Sequence, residues 1–330
     1  MTAGRIVRAI AGVAMLALAG CGSSHRSPAL STPANISPAE SSPANTSPAA
    51  SSPALGPPST GGSPAGSATG TASPGARPAG PVPRFDHVVV VVEENRSYSE
   101  IIGSPAAPYL NSLAAGGALF TRSYGLTHPS QPNYLALFSG STQGVTGDSC
   151  PHSFTGPNLA SQLLAAGLGF AGYSESMPSD GYLGCGSDSY ARKHNPWSDF
   201  STLPPTVNRT LSSFPSDYAA LPTVSFVIPN LDNDMHDGSV PAGDSWLRDH
   251  LDGYARWAKA HRSLLVVTWD ENDNSPGNHI ATIFYGASVK AGRYAERVSH
   301  YRLLRTLQVA YGLPALGDSG TASPITDVWQ

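Results

Sequence analysis

The run of five valines at residues 88–92 constrains the fold more than any other feature of the sequence. β-Branched side chains favour strands, and an apolar run without polar alternation indicates a strand that is buried on both faces. Such strands lie in parallel sheets that helices cover on both sides. The sequence therefore predicts an α/β fold with a mostly parallel central sheet.

Strand and helix patterns alternate along the rest of this region. Further strands are predicted at residues 170–173, 224–228, 264–269 and 280–285, and helices at residues 109–115, 132–138, 159–166, 246–260 and 303–311. Residues 174–221 are rich in Gly, Pro and Ser and are predicted to form a long excursion. In an α/β sandwich of this kind, ligands gather at the carboxyl ends of the strands.

The N-terminus reads as an export signal. Arg5 and Arg8 precede an apolar stretch at residues 9–20 that is too short to span a bilayer. Leu18-Ala19-Gly20-Cys21 then resembles a bacterial lipobox. We therefore expect a lipoprotein signal peptide at residues 1–20 and a lipid on Cys21, although an ordinary signal peptide with a chance cysteine is the alternative. The lipid would anchor the protein to the outer face of the cell membrane.

Residues 21–83 have a composition that cannot build a core. Thirteen of the 30 prolines lie between residues 22 and 83, and Ser-Pro-Ala recurs every five residues from Ser37 to Ser52. A chain so poor in apolar side chains cannot offset its ordering entropy by burial. We predict a disordered tether here, followed by one catalytic domain at residues 84–330.

The charge of residues 84–330 excludes some partners. This part carries 15 Lys and Arg against 22 Asp and Glu, which gives a formal net charge of −7. Broad nucleic-acid binding needs a basic face, so no nucleic-acid partner is expected. The balance suits cation binding, and no protein partner is evident from the sequence.

Cys150 and Cys185 are the two cysteines that follow Cys21. An even pair in an exported domain predicts one disulfide bond, since the compartment is oxidising. A metal-binding pair is the alternative, but only His152 stands near either cysteine at ligand spacing.

Three of the predicted strands run directly into carboxylates. The residues concerned are Glu93, Glu94 and Asn95 after the first strand, residues 229–237 after another, and Asp270, Glu271, Asn272 and Asp273 after a third. One such cluster is usually a helix cap or a solvated turn. Three at one sheet edge would repel each other unless a cation neutralised them. We therefore expect one or two divalent metal ions, whose identity the sequence does not give.

Two histidines are candidate ligands for the same ions. Asp232 and His236 are four residues apart, a spacing that can direct both side chains at one ion. His300 lies just before the last predicted helix and offers another imidazole. The alternative is a residue at the helix N-terminus with no ligand role.

A candidate nucleophile lies between two prolines. In Thr127-His128-Pro129-Ser130-Gln131-Pro132-Asn133, Ser130 precedes an apolar helical stretch, and a helix N-terminus stabilises an anion. A serine alkoxide there can attack phosphorus, with Asn133 as a donor to a phosphate oxygen and His128 as a donor or leaving-group acid. The alternative is that Ser130 only caps the helix. Neither Gly-x-Ser-x-Gly nor a P-loop occurs in the chain.

Several of these segments resemble the bacterial phosphoesterase family, which groups acid phosphatases with phosphatidylcholine-type phospholipases C. The segments are Val89-Val90-Val91-Val92-Glu93-Glu94-Asn95-Arg96-Ser97, His128-Pro129-Ser130, Asp232-Asn233-Asp234-Met235-His236-Asp237 and Leu264-Leu265-Val266-Val267-Thr268-Trp269-Asp270-Glu271. The likeness spans most of residues 85–328. It implies an alkaline phosphatase-like three-layer sandwich.

The resemblance also implies roles by position. Ser130 matches the nucleophile, and Glu94, Asn95, Asp270 and Glu271 match metal ligands. Asp232, His236 and His300 resemble the second metal site of the wider superfamily, in which Asp-His often stands where this chain has Asp270-Glu271.

The expected activity is that of a metal-dependent acid phosphatase with a phosphoserine intermediate. The resemblance favours phosphatidylinositol 3-phosphate as substrate, and Arg192, Lys193 and His194 are candidates for binding its head group, unless they form a solvated basic turn. A phospholipase C that cleaves phospholipid diesters is one alternative. A tethered lipoprotein that binds phosphate or metal without turnover is another.

Overall fold

A computed structural model describes residues 81–330. The predicted signal peptide, Cys21 and the tether as far as residue 80 lie outside the described residues. Val82 is buried in the core, so packing begins two residues before the predicted domain start at Arg84. Within residues 81–330, no helix combines the length and apolarity that a membrane crossing needs.

Ten strands and six α-helices make up this part of the chain. The strands are β1 (His87–Glu93), β2 (Ala118–Tyr124), β3 (Phe170–Ser174), β4 (Gly186–Ser187), β5 (Tyr190–Ala191), β6 (Asn208–Thr210), β7 (Val224–Ile228), β8 (Ser263–Trp269), β9 (His279–Tyr285) and β10 (Gly292–Ser299). The helices are α1 (Tyr98–Ile101), α2 (Pro108–Gly116), α3 (Ser130–Ser139), α4 (Leu159–Ala165), α5 (Val240–Ala260) and α6 (His300–Tyr311).

Eight strands form one sheet in the order β10-β2-β9-β8-β1-β7-β3-β6. Every neighbouring pair is parallel except the two pairs that contain β9. The other seven strands therefore share one direction, and their carboxyl ends meet at one edge of the sheet. The prediction of a mostly parallel sheet is confirmed.

The valine run lies at the centre of this sheet, between β7 and β8. Val88, Val90 and Val92 pack in one core cluster with α3, α4 and α6. Val89 and Val91 pack in a second cluster with α2 and α5. Because successive side chains of a strand point to opposite faces, one apolar run serves both layers. The result is the three-layer sandwich that was expected.

The predicted helices and strands all exist, with shifted boundaries for most of them. Strands β2 and β10 were missed because their apolar residues are interrupted by exposed arginines. The excursion at residues 174–221 is not bare loop, since it contains three short strands and several 3-10 turns. A disulfide joins Cys150 to Cys185, as predicted, and ties this excursion to the segment after α3.

Candidate active site

Ser130 begins α3, directly beyond the carboxyl end of β2. Its side chain is buried, and its Oγ donates to Oε2 of Glu94 at 2.9 Å and to Oε1 of Glu271 at 3.3 Å. These carboxylates follow β1 and β8, so the topology brings three distant segments together. A capping role does not describe Ser130, because its hydroxyl is directed at carboxylates and not at the backbone of its own helix.

Glu94 lies between Ser130 and a buried histidine. Besides Ser130, its carboxylate accepts a hydrogen bond from the Tyr134 hydroxyl, and its Oε1 lies 3.2 Å from Nε2 of His194. Burial raises the pKa of Glu94, while His194 opposes the rise. Tyr134 was not among the predicted site residues, yet it lies one helical turn after Ser130, a spacing that places both on one face of α3.

His194 bridges Glu94 to Asp234. Its Nδ1 lies 3.3 Å from Oδ2 of Asp234, and ligand atoms of the three buried side chains lie within 4.8 Å of one another. Burial lowers the pKa of His194 to about 4 and raises the pKa of Asp234 to about 8. The imidazole is therefore neutral at physiological pH, which is the form that binds metal ions.

Asp270 and Glu271 close the other side of the cluster. Oδ1 of Asp270 accepts from the backbone amide of Asn95 at 3.4 Å. Oε2 of Glu271 lies 2.8 Å from Nδ1 of His128 and accepts from Nδ2 of Asn133 at 3.4 Å. Burial and the nearby Glu94 charge raise the pKa of Asp270 strongly, and they raise the pKa of Glu271 to about 8.

The donor atoms of this cluster suit a divalent cation. Several buried atoms form no hydrogen bond within residues 81–330, namely Oδ1 of Asn95, Nε2 of His194, Oδ2 of Asp234 and Oδ2 of Asp270. Buried polar atoms normally have partners, so a group of unpartnered oxygen and nitrogen atoms indicates a missing positive charge. The buried Glu94, His194 and Asp234 group could hold a metal ion.

The structure does not bring every predicted ligand into the cluster. Asp232 is exposed and accepts from the Ser189 hydroxyl at 2.6 Å, so Asp234 takes the position that Asp232 was expected to occupy. His236 stands beside the cluster, with its ring 6.0 Å from that of His194 and its Nδ1 2.7 Å from Oδ1 of Asp237. The loop turns at Met235, whose φ of 77° directs the flanking side chains differently from a helical turn.

His300 is buried, and one of its ring nitrogens contacts the loop that carries Asp270. Its Nε2 donates to the backbone carbonyl of Asp270 at 2.6 Å. Burial lowers its pKa to about 4, so it remains neutral. In this arrangement His300 fixes the loop that carries Asp270 through Nε2, and its role as a metal ligand stays a prediction.

The three predicted head-group residues separate into different environments. Arg192 is buried, pairs with Asp199 at 3.0 Å and donates to backbone carbonyls, so it holds the excursion together. Lys193 pairs with Asp148 at 2.8 Å at the edge of the site, and this pairing raises its pKa although burial opposes its charge. The contacts of His194 are those of a ligand, not of a head-group donor.

Asn278 links the two loops that carry the reacting groups. Its Oδ1 accepts from the amide of Asn272 at 2.7 Å, and its Nδ2 donates to the carbonyl of Thr127 at 3.1 Å. Gly125 packs against this side chain, and a Cβ there would lie 2.6 Å from Nδ2. Nδ2 of Asn133 also donates to the Thr127 carbonyl, at 2.8 Å. No local pattern pointed to Asn278, because its role depends on contacts between distant loops.

The buried carboxyl groups predict an unusual pH dependence of stability. Asp234 and Glu271 have ordinary pKa values of 3.8 and 4.5 but hold their protons up to about 8 in the folded protein. Between about pH 7 and 8.5 the folded state binds more protons than the unfolded state, so stability falls as pH rises. The buried His194 and His300 do not counter this trend above pH 7, because both are neutral in the folded state and mostly neutral in the unfolded state. We expect the melting temperature of chelator-treated protein to fall across this range.

A divalent cation should remove that slope, since it stabilises the ionised carboxylates. Differential scanning calorimetry with and without added metal measures both effects. A flat or rising melting temperature in the metal-free protein would contradict the assignment of these groups as buried and uncompensated.

Comparison with known proteins identifies the family. A sequence model of the Phosphoesterase family matches residues 104–314. The Mycobacterium tuberculosis protein named phosphatidylinositol-3-phosphatase is 55% identical over 254 residues, which cover 76% of this chain and 85% of that protein. The phosphate-repressible acid phosphatase of Penicillium chrysogenum is 29% identical over 254 residues, with 71% of this chain and 60% of that protein covered.

The fold agrees with that relationship. A crystal structure of a Vibrio parahaemolyticus protein in the alkaline phosphatase superfamily aligns with a TM-score of 0.52 at 14% identity, over 75% of this chain and 72% of that chain. At this identity the match is evidence about the fold alone. It confirms the expected alkaline phosphatase-like sandwich. The chain belongs to the phosphoesterase family and is an enzyme that hydrolyses phosphate esters.

Proposed function

We propose that this protein is a metal-dependent acid phosphatase that hydrolyses phosphomonoesters through a phosphoserine on Ser130. One observation carries the proposal. A buried serine at a helix N-terminus donates to two carboxylates, among polar atoms that lack partners within residues 81–330. A non-catalytic binding protein has no need for a buried hydroxyl in that position.

In the first step, Oγ of Ser130 attacks phosphorus while its proton passes to Glu94 or Glu271, the carboxyl groups it already contacts. Either group must be ionised to accept the proton, which is the form that a bound cation would favour. The bond from phosphorus to the ester oxygen breaks, and the alcohol leaves with a proton. His128 is positioned to supply that proton, because it is half-buried at the edge of the site beside Glu271. Burial lowers the pKa of His128, which eases proton release.

In the second step, water attacks the phosphoserine and gives a proton to His128, which has lost its own to the alcohol. The bond from phosphorus to Oγ breaks, and Ser130 regains its proton from Glu94 or Glu271 as inorganic phosphate leaves. Glu94, Asn95, Asp270 and Glu271 form one set of residues that would hold a divalent ion, and Glu94, His194 and Asp234 form another. A bound ion supplies charge neutralisation for the phosphoryl oxygens and lowers the pKa of the serine hydroxyl.

Phosphatidylinositol 3-phosphate is the substrate that we propose. The 55% identical relative bears the name phosphatidylinositol-3-phosphatase, which favours the same lipid here. The Lys193 ammonium at the edge of the site is a candidate partner for its phosphate. We further propose that the protein is exported and held on the outer face of the cell membrane by a lipid on Cys21, as the lipobox-like sequence suggests.

Product analysis tests the proposed reaction. Full-length protein would be incubated separately with phosphatidylinositol 3-phosphate and with phosphatidylcholine, and both inorganic phosphate and diacylglycerol would be measured. We expect phosphate from the phosphoinositide and no diacylglycerol from either lipid. Diacylglycerol as the main product would replace the proposal with a phospholipase C that uses the same site.

Asn278 provides a prediction about positioning. Asn278→Ala removes the hydrogen bond to the Thr127 loop and the bond to Asn272 that shapes its own loop. We therefore expect kcat to fall roughly tenfold or more while KM changes little. Asn278→Asp keeps the acceptor for Asn272 and should recover part of the loss. Steady-state kinetics with a soluble aryl phosphate measure both constants, and an unchanged kcat in Asn278→Ala would show that the contact is dispensable.

A further inference from the structure

A cluster of arginines and aromatic rings lies on α1, β2, β9 and β10, at the β10 side of the sheet. The rings of Tyr98 and His279 stack with centroids 4.5 Å apart, and those of His279 and Tyr124 stack at 5.1 Å. The Arg297 guanidinium lies 4.1 Å from the centroid of Tyr124, and Arg293 donates to the Tyr98 hydroxyl at 3.1 Å. We call these five residues together with Arg122 the arginine–aromatic surface.

The charge of this surface is uncompensated. Arg297 and Arg122 are paired residues of the parallel strands β10 and β2, so two like charges stand side by side. Arg122, Arg293 and Arg297 are exposed, and within residues 81–330 none of them is at ion-pair distance from a carboxylate. Neighbouring like charges are destabilising. An anionic partner would therefore stabilise this concentration of positive charge in a domain whose net charge is negative.

The surface adjoins the active site but is separate from it. Tyr98 follows Asn95 by three residues, Tyr124 precedes Ser130 by six, and His279 follows the Asn278 that binds the nucleophile loop. Strand β2 lies two positions from β8 in the sheet, and β10 lies three positions away. At the usual strand spacing, the backbones of Arg122 and Arg297 lie about 10–15 Å across the sheet from the strand that precedes Asp270 and Glu271. Arg293 pairs with Leu119, nearer the start of β2, and therefore lies farther away. That is too far to hold the reacting phosphate, but it suits the head groups of neighbouring lipids.

We propose that the arginine–aromatic surface docks the domain onto an anionic phospholipid bilayer, so that a phosphoinositide head group enters the site beside it. Arginines bind lipid phosphates, and tyrosines favour the boundary between head groups and acyl chains. This inference rests on the proposed lipid substrate. It supplies the local recognition that a domain of net negative charge needs in order to approach an anionic membrane.

Vesicle binding tests the docking surface. The test protein is the full chain with Cys21→Ser, which removes the site of the proposed acylation. The triple variant Arg122→Gln, Arg293→Gln and Arg297→Gln would be compared with a charge-matched control, Arg248→Gln, Arg256→Gln and Arg262→Gln, whose arginines are exposed and pair with aspartates elsewhere. Cosedimentation would use phosphatidylcholine vesicles with and without phosphatidylserine, and the gain caused by phosphatidylserine is the measured quantity.

The triple variant should lose about 100-fold in phosphatidylserine-dependent binding, on the usual contribution of a basic residue near an anionic surface. The control triple should lose much less, and kcat/KM for a soluble aryl phosphate should be unchanged in both. Equal binding by the two triples would overturn the inference. If the test triple lost kcat/KM for the soluble aryl phosphate as strongly as it lost vesicle binding, the inference would also be overturned. The arginines would then bind the reacting phosphate.

A phosphate-release assay on the same vesicles, with phosphatidylinositol 3-phosphate added to them, separates this inference from the proposed function. If the parent protein binds phosphatidylserine vesicles through these arginines but releases no phosphate from phosphatidylinositol 3-phosphate within them, the substrate assignment fails and the docking surface stands. If it hydrolyses the phosphoinositide and the test triple binds like the control, the docking surface fails and the substrate stands.

Discussion

Ser130→Ala should reduce the turnover of phosphate monoesters by about 10³-fold or more, because it removes the atom to which the phosphoryl group is transferred. The substitution deletes one hydroxyl that contacts two carboxylates and leaves the core packing of α3 in place. The free energy of unfolding should therefore change little. Phosphate release from phosphatidylinositol 3-phosphate and from a soluble aryl phosphate would both be measured, together with the melting temperature.

Ser112→Ala is the matched control, since Ser112 is an exposed serine on α2 whose hydroxyl donates only to a backbone carbonyl. It should keep full activity. If Ser130→Ala retained more than about a tenth of the parent rate, direct attack by water would explain the reaction better than a serine nucleophile.

Glu94→Gln should lower turnover and metal affinity by roughly 100-fold or more, because Glu94 belongs to both sets of proposed metal ligands. Its carboxylate contacts Ser130, Tyr134 and His194 at once. A neutral amide of the same size also removes a buried charge. The metal-free variant should accordingly melt no lower than the metal-free parent, while metal should no longer raise its melting temperature.

Glu93→Gln is a demanding control for that experiment. Glu93 is equally buried and is adjacent in sequence, but its side chain points to the other face of β1 and makes no hydrogen bond within residues 81–330. Burial raises its pKa strongly, so glutamine resembles the form already present. Activity and metal affinity should be retained. A comparable loss in both variants would mean that general electrostatics, and not contact with Ser130, explains the effect of Glu94→Gln.

The features that could be predicted from the sequence are those set by local pattern. The valine run fixed the centre of the sheet because an apolar run without alternation has few other uses in a soluble domain. The topology of parallel strands then required that Glu94 and Asp270 share an edge. Ser130 was recognisable because the flanking prolines and the apolar stretch mark a helix start.

The features that could not be predicted depend on how loops fold over that edge. Asp232 and Asp234 differ by two positions in one loop, and no local pattern distinguishes the exposed Asp232 from the buried Asp234. His194 looked like part of a basic turn, yet packing places it between two carboxylates. Strand β10 escaped detection because it is an edge strand with exposed arginines, and those same arginines form the proposed docking surface.

The most direct test of the proposed mechanism is to trap the phosphoenzyme. The protein would be mixed with excess phosphate monoester, quenched in acid during steady-state turnover, digested and analysed by mass spectrometry. We predict one phosphoryl group on the peptide that contains Ser130, at Ser130 itself, and none in the Ser130→Ala variant. Continued turnover with no phosphoryl group on Ser130 at any quench time, or with the group on another residue, would contradict the proposed mechanism.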